Sequence, residues 1–172
     1  AMHAALGSLA YLEGNVDAAA GEFNTALALS PASADAEMGL GDLSLLAGDP
    51  AAAAEHYQRA QAALPAYAAA YSYDTAAIYL PLLHMRLVLA ARQAGDAAGE
   101  QAALEAAATA LADLHAAAPD WASVTAAKGI LAQIRGDEAG AASAFARSIA
   151  CDRTLAEAPG EAAKLIAAAS RK

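Results

Sequence analysis

Apolar residues recur at helical spacing along the first 65 residues, and a Gly-Asn or Gly-Asp pair interrupts them at regular places. They flank Gly14-Asn15 and then Gly48-Asp49. A period of three to four residues predicts amphipathic helices, and a glycine followed by Asn or Asp is typical of a turn that ends one helix and starts the next. Each stretch therefore predicts two antiparallel helices joined by a tight turn.

The pattern occurs twice, and the two copies are separated by a constant offset of 34 residues. The leucines are expected to fill the seam between the paired helices, the glycines after them to allow close approach, and the prolines to end the second helix. The matched positions are Leu6-Gly7 and Leu40-Gly41, Ala10 and Ser44, Gly14 and Gly48, Ala19 and Ala53, Phe23 and Tyr57, Ala26 and Ala60, and Pro31 and Pro65.

This spacing resembles that of the tetratricopeptide repeat (TPR) family, whose units carry Leu-Gly, a small residue, a Gly-Asp turn, Ala, an aromatic, Ala and Pro in this order. The resemblance implies an all-α fold, a right-handed superhelical solenoid of antiparallel helix hairpins. It also implies a concave groove, lined by the first helix of each hairpin. The aromatic residue that the family places near the start of the first helix is replaced by His3 and Glu37.

Residues 66–120 interrupt the repeat. The constant offset would place Asp74-Thr75 at the Leu-Gly position, and the turn reappears only at Gly95-Asp96. We therefore expect one elongated hairpin whose helices are matched in length, with Pro81 kinking or beginning the first of them. The segment before it is either a loop or a short helical turn. The two helices are expected near 73–94 and 97–117.

The standard pattern returns at Lys128-Gly129, followed by Gly136-Asp137 and Phe145. A lone helix then ends the chain and is expected to cap the last apolar face, as a solenoid requires. The whole chain is predicted to be one TPR-like domain. Its repeats cover about 1–34, 35–67, 68–120 (the variant) and 121–154, and the capping helix covers about 158–170.

Composition supports helices and adds an acidic surface. Of the 172 residues, 58% are apolar, and many of these are alanine, the best helix former. The net charge is −9, and no Lys or Arg precedes Arg59. Because nucleic acids repel an acidic surface, no nucleic-acid partner is expected. The acidic residues either solvate the surface or face a basic partner.

Catalytic and metal-binding motifs are missing from the sequence. The four histidines lie in different predicted helices without metal-ligand spacing, and Cys151 is the single cysteine. No glycine loop for phosphate and no nucleophile elbow is present. We therefore expect a chain that is not an enzyme and uses no cofactor and no metal.

Membrane insertion is not expected either. The most apolar segment, 76–91, contains Pro81, His84 and Arg86 and is too short to span a bilayer. The chain shows no basic region followed by an apolar run at its N-terminus. A cytoplasmic location is expected, and export of a processed form stays open.

The groove implied by the TPR resemblance is the positive candidate site. Residues that flank the Leu-Gly seam at helical spacing would line it, and they are mostly apolar. A peptide or helix of a protein partner is expected to bind along this stripe, although Leu89 and Ile130 are alternatively part of the core. The set is Ser8, Tyr11, Leu12, Met38, Asp42, Leu45, Met85, Leu89, Arg92, Ala126, Ile130 and Gln133.

Some members of the family hold a C-terminal carboxylate with Lys, Asn and Arg in this groove. The corresponding positions here carry Ala4, Ser8, Gly39 and Asp42, so that activity is not expected. The leading hypothesis is a non-catalytic scaffold or adaptor. The alternative is homo-oligomeric assembly, a homodimer formed by the elongated hairpin and by exposed aromatic residues next to it. The tyrosines concerned are Tyr67, Tyr71, Tyr73 and Tyr79.

Overall fold

A computed structural model describes residues 1–70 and 77–170, and all regular secondary structure in these ranges is helical. Two residues of the predicted self-association set, Tyr71 and Tyr73, lie outside the described residues. The first four positions of the predicted helix 73–94 also lie outside them. The helices are α1 Met2–Leu12, α2 Val16–Leu29, α3 Ala34–Ala47, α4 Pro50–Ala70, α5 Tyr79–Ala94, α6 Ala97–Ala117, α7 Ala122–Ile134, α8 Glu138–Cys151, a 3-10 turn Arg153–Glu157, and α9 Ala158–Ala169. Within the described ranges, none of them has the length and hydropathy needed to cross a bilayer.

Consecutive helices pack in pairs, α1 with α2, α3 with α4, α5 with α6, and α7 with α8. Neighbouring pairs meet through α2 and α3, α4 and α5, and α6 and α7. Each hairpin thus contacts mainly the next one along the chain, which is the arrangement of a helical solenoid. The predicted all-α stack of hairpins is confirmed.

The turn inside each hairpin is built by a glycine and the residue after it. Gly48, for example, ends α3 in the left-handed region at φ 83°, and a side chain would be strained there. The next residue, Asp49, then accepts a hydrogen bond from the Ala52 N–H at 3.0 Å and caps α4. The same two roles fall to Gly14-Asn15, Gly95-Asp96 and Gly136-Asp137.

A glycine on the first helix of three hairpins lies against a buried aromatic ring on the second helix. The ring fills the space that a side chain would take, so the two helices approach closely. A Cβ atom added at the glycine would lie 2.6 Å from the ring for Gly7 and Phe23, 2.8 Å for Gly129 and Phe145, and closer still for Gly41 and Tyr57. We call these three contacts the glycine–aromatic seams.

The expectation that leucine fills the seam is wrong for the first hairpin. Leu6 is 43% exposed, while the ring of Phe23 is buried against Gly7. On a helix, neighbouring residues point about 100° apart, so the residue that faces the partner helix squarely is the glycine and not the leucine before it. The half-buried Leu40 in the second copy contributes to packing only at its edge.

Helix lengths around the interruption also differ from those expected. Pro65 does not end α4, which continues to Ala70. The continuation is stabilised because Ala63 and Tyr67 pack with Ala34 of the same hairpin in a small buried cluster. The described part of α5 begins at Tyr79 and has 16 residues against 21 in α6, with Pro81 in its first turn, where its missing N–H costs little.

The C-terminal helix reaches further back than the last hairpin. α9 contacts α7, as a cap would, and also α5 and α3. Leu165 of α9 is buried in the same core cluster as Leu45 of α3 and Leu89 of α5. The side-chain amide of Gln93 donates to the carbonyl oxygens of Leu45 at 3.1 Å and of Ala168 at 2.9 Å. α9 therefore lies across the first helices of three hairpins, which we call the inner face.

The seams predict opposite effects for two glycine-to-alanine substitutions. In Gly41→Ala the new methyl group would meet the fully buried ring of Tyr57, and overpacking should lower the free energy of unfolding by about 1–3 kcal/mol. Gly21→Ala, inside α2 with no atom within 4 Å of the added Cβ, is the control and should raise it by about 0.5–1 kcal/mol. Urea unfolding followed by circular dichroism measures both. Equal stability of the two variants would contradict the role of the seam.

Candidate functional site

A cavity of about 310 Å³ lies between the inner face and α9. Side chains from α3, α5, α7, α9 and the 3-10 turn line it, and most of them are apolar. They include Met38, Met85, Leu89, Ile130 and Leu165. A space of this size with an apolar lining and few polar groups is typical of ligand sites in proteins. We call it the apolar cavity.

A second space of about 240 Å³ adjoins the apolar cavity on the side of α1. The two share Met38, Tyr79, Arg86 and Glu161 as lining residues, so they lie directly next to each other. The second space, which we call the polar compartment, is lined in addition by Ser8, Tyr11, Leu12, Phe23, Asp35, Gly39 and Asp42. A mostly apolar space and a more polar one therefore lie side by side.

A buried ion pair forms one wall of the polar compartment. The Arg86 guanidinium donates two hydrogen bonds to the Asp42 carboxylate, from Nε at 2.7 Å and from an Nη at 3.0 Å. The Tyr57 hydroxyl donates to the same carboxylate at 2.9 Å. Burial alone would lower the pKa of Arg86, but Asp42 outweighs it and holds that pKa above its usual value. The pair thus joins the second hairpin to the third through charge-assisted bonds.

Two other polar groups of the compartment have no such partner. The Tyr11 hydroxyl is buried and has no hydrogen-bond partner among the described residues. The Glu161 carboxylate, in the first turn of α9, likewise makes no hydrogen bond or ion pair within that part of the chain. Burial, followed by the charge of Asp42, raises the pKa of Tyr11. Burial also raises the pKa of Glu161.

The tyrosines assigned to self-association are used inside the fold where the structure describes them. Tyr67 is only 8% exposed, and its ring packs on that of Tyr79 with the centroids 4.8 Å apart. The Tyr67 hydroxyl donates to the Tyr79 oxygen at 3.1 Å, and the Tyr79 hydroxyl donates to the Asp35 carboxylate. The expectation of exposed rings at these two positions is therefore corrected. The extra turn of α4 carries Tyr67 to the start of α5.

Most of the predicted groove residues come together in the two compartments. Met85, Leu89, Ala126 and Ile130 line the apolar cavity, Ser8, Tyr11, Leu12 and Asp42 line the polar compartment, and Met38 lines both. Leu45 is instead fully buried in the core beneath them. Arg92 pairs with Glu100 at 2.8 Å, and the Gln133 side-chain oxygen is buried without a partner among the described residues.

Sequence reasoning missed two charged members of the site. Arg86 stands in the most apolar stretch of the chain, and a charged residue there is usually buried against a partner, which is a signal that could have found it. Glu161 had no such signal, because its place depends on where α9 packs. The predicted set also lacked Leu165, for the same reason.

Two histidines outside the compartments form acid–histidine contacts between paired helices. His3 Nδ1 lies 2.6 Å from a Glu22 carboxylate oxygen, and His56 Nδ1 lies 2.7 Å from one of Glu37. The repeat offset of 34 residues relates His3 to Glu37 and Glu22 to His56. The histidine is therefore on the first helix in one hairpin and on the second helix in the next. Arg59 adds a second bond to Glu37 at 3.1 Å. These residues support the stack rather than the site.

Comparison with known proteins identifies a structural relative. No protein-family model matches the chain, and no curated protein matches it. Among solved structures, the crystal structure of TTC0263, described as a thermophilic TPR protein in Thermus thermophilus, is similar with a TM-score of 0.60 and 25% sequence identity. The similarity covers 98% of this chain and 82% of that chain. It therefore extends over the stacked hairpins and α9 together.

The ion pair predicts a non-additive pair of substitutions. Asp42→Leu leaves the Arg86 guanidinium without its partner, and we expect the free energy of unfolding to fall by about 3 kcal/mol. Replacing both partners, Asp42→Leu with Arg86→Met, should cost less than the single change because no charge is left unpaired. Urea unfolding measures the difference.

The half-exposed pair of Arg92 and Glu100 provides the control for this comparison. Glu100→Gln should cost less than about 1 kcal/mol, as partly solvated ion pairs do. A double variant less stable than Asp42→Leu alone would contradict the assignment of Asp42 and Arg86 as a structural pair.

Proposed function

The chain is a tetratricopeptide-like helical repeat protein, and from that premise we propose that it is a non-catalytic interaction module, a scaffold or adaptor that binds an apolar segment of a partner protein at its inner face. The observation that carries this proposal is the apolar cavity of about 310 Å³. Its walls are the first helices of three hairpins together with α9, the surface on which an interaction groove is expected in this fold.

The space that is left favours a segment that inserts side chains over one that lays a whole helix into the groove. An α-helix with its side chains is about 10–12 Å across. α9 already takes such a place over α3, α5 and α7. What remains beside it accommodates a few apolar side chains. A short extended peptide, or one edge of a partner helix, fits this description.

The lining is suited to accept side chains of more than one shape. Met38 and Met85 are unbranched and polarisable, and methionine is common on surfaces that bind varied partners. Met38 and Ile130 are half-buried, so they face the cavity without being needed at the centre of the core. Burying the apolar surface of these residues against a partner would supply the main favourable term in binding.

Catalysis is poorly supported by the groups at the site. Asp42 and Arg86 are hydrogen-bonded to each other, and the Ser8 hydroxyl donates to the Ala4 carbonyl at 3.1 Å. No histidine or cysteine is among the described residues that line either compartment. A serine without a base within reach is a poor nucleophile. The site is better suited to binding than to bond making.

Homo-oligomeric assembly is the alternative function, but two of the tyrosines predicted to form the contact between copies are used inside the chain. Tyr67 and Tyr79 pack on each other within the chain. The large apolar side chains that are exposed in the described part of the chain belong to the first hairpin. They are Met2, Leu6, Leu9, Leu12, Val16 and Leu29. Among the described residues, α1 and α2 therefore offer the apolar surface for a contact between copies.

A peptide selection with matched variants tests the interaction module. Peptides selected from a displayed random library on the native chain should carry at least two large apolar residues. Binding of such peptides to Met38→Glu with Ile130→Glu should weaken at least about ten-fold, because charges would enter the apolar cavity. Isothermal calorimetry measures the affinities, and circular dichroism checks that helicity is retained.

The control is Leu9→Glu with Leu29→Glu, which adds the same charges at exposed positions outside both compartments. It should leave the affinities unchanged. Failure of the library to yield any apolar binder, or equal binding by the two double variants, would reject the apolar cavity as a site for partner peptides.

A further inference from the structure

The polar compartment contains acceptor atoms that the described part of the chain leaves unused. Its Asp42 carboxylate is satisfied by Arg86 and Tyr57, and its Asp35 carboxylate accepts from Tyr79. The Glu161 carboxylate and the Tyr11 hydroxyl have no such bonds among the described residues. Buried polar groups are nearly always paired, so the buried Tyr11 hydroxyl calls for an explanation, and the half-buried Glu161 carboxylate lines the same compartment. A ligand that donates hydrogen bonds here would supply one.

The charges around the compartment select the sign of that ligand. Three carboxylates, those of Asp35, Asp42 and Glu161, line it with a single cation, Arg86. Arg86 already gives two of its hydrogen bonds to Asp42. The potential in the compartment is therefore negative, and it attracts a cation and repels an anion.

We propose that the two adjacent compartments together bind an alkylammonium group, with the hydrocarbon chain in the apolar cavity beside Met38 and the ammonium between the Glu161 carboxylate and the Tyr11 hydroxyl, since Met38 and Glu161 line both spaces. An ammonium has three donors and no acceptor, which matches two unsatisfied oxygens. The group comes from a lysine side chain of a partner protein or from a free aliphatic amine. For the lysine source the inference rests on the proposed function, because it uses the same cavity.

Other head groups fit the compartment less well. A carboxylate or phosphate would lie among three carboxylates, and two hydrogen bonds of the Arg86 guanidinium already go to Asp42. A neutral head group would bind the half-buried Glu161 carboxylate less strongly, because a hydrogen bond from an ammonium is charge-assisted. The cation is the one class that satisfies the carboxylate.

The ligand would also connect α9 to the first hairpin. Glu161 lies in the first turn of α9, whereas Tyr11 lies near the end of α1. An ammonium between them would bridge two elements that are separated along the chain by most of its length. The site is incomplete without α9, so binding should slow amide hydrogen exchange along this helix.

Binding should depend on pH through Glu161. Its charged neighbours are Arg86 and Asp42 across the compartment, Lys164 in α9 itself, and Glu157 directly before α9. The ammonium prefers the ionised carboxylate, so the affinity should fall as the pH drops through the raised pKa of Glu161. An alkylammonium has a pKa of about 10.4 and stays charged over this range. Binding should therefore release protons from the chain at pH values where Glu161 is partly protonated.

Three hexyl probes of nearly equal size test the inference on the full chain: hexylammonium, 1-hexanol and hexanoate. Calorimetry at pH 7 should show hexylammonium binding at least about ten-fold more tightly than either of the others. Glu161→Gln should abolish this preference, and Tyr11→Phe should reduce it. Glu157→Gln removes an exposed charge four residues earlier and should keep the preference.

A peptide arm distinguishes the two sources of the ammonium. The peptide Ac-Leu-Lys-Leu-NH2 is compared with the same peptide carrying norleucine in place of lysine. A lysine peptide that binds more tightly than hexylammonium, with norleucine losing the gain, assigns the site to a protein partner. A lysine peptide that binds no better than its norleucine form, while hexylammonium binds well, assigns it to a free amine.

Hexanol or hexanoate binding as tightly as hexylammonium, or an unchanged preference in Glu161→Gln, would overturn the ammonium site. The outcome is separable from that of the interaction module. If selected apolar peptides bind while hexylammonium does not, the ammonium site is wrong and the module stands. If hexylammonium binds while the library yields no peptide, the ammonium site is supported as a site for a free amine, and the interaction module is rejected.

Discussion

Close contact between a glycine and an aromatic ring determines how three of the four hairpins are packed, and in the second hairpin it reaches the candidate site. The Tyr57 ring lies against Gly41, which leaves its hydroxyl 2.9 Å from the Asp42 carboxylate. Asp42 then receives Arg86 from the third hairpin. Phe23 and Phe145 fill the corresponding seams without a hydroxyl, so only the second hairpin, among these three, couples its seam to an ion pair.

The first hairpin uses its ring differently. Phe23 lies against Gly7 of its own hairpin and also against Gly39 of the next one, where an added Cβ would again overlap the ring. One aromatic residue therefore holds three helices together, α1, α2 and α3. Because these contacts exclude any larger residue, small side chains at the glycine positions are a geometric requirement of the stack.

The hairpins and their turns were predictable because the signals are local. A left-handed glycine and a capping Asp or Asn act within a few residues, and the constant offset repeats them. Pro65 misled the prediction for the opposite reason, since packing of Tyr67 outweighs the lost hydrogen bond. Arg86 finds its partner Asp42 at a distance of 44 residues along the chain, beyond any local pattern.

The site itself could be predicted only in part. The residues of α1, α3, α5 and α7 followed from the resemblance, but α9 turned the open groove into a cavity, and nothing in its alanine-rich sequence indicated where it would pack. Its own composition explains why it fits. The buried face of α9 includes Ala162, Ala168 and Ala169, and such small side chains allow a helix to lie close to the inner face.

The position of α9 is the claim on which both compartments depend. The most direct measurement is a nuclear Overhauser spectrum of the isotope-labelled chain in solution. We expect cross-peaks from the side-chain amide protons of Gln93 to protons of both Leu45 and Ala168, since the Gln93 amide nitrogen lies 3.1 Å and 2.9 Å from their carbonyl oxygens. A helical α9 whose Ala168 shows no cross-peak to Gln93 would contradict this expectation.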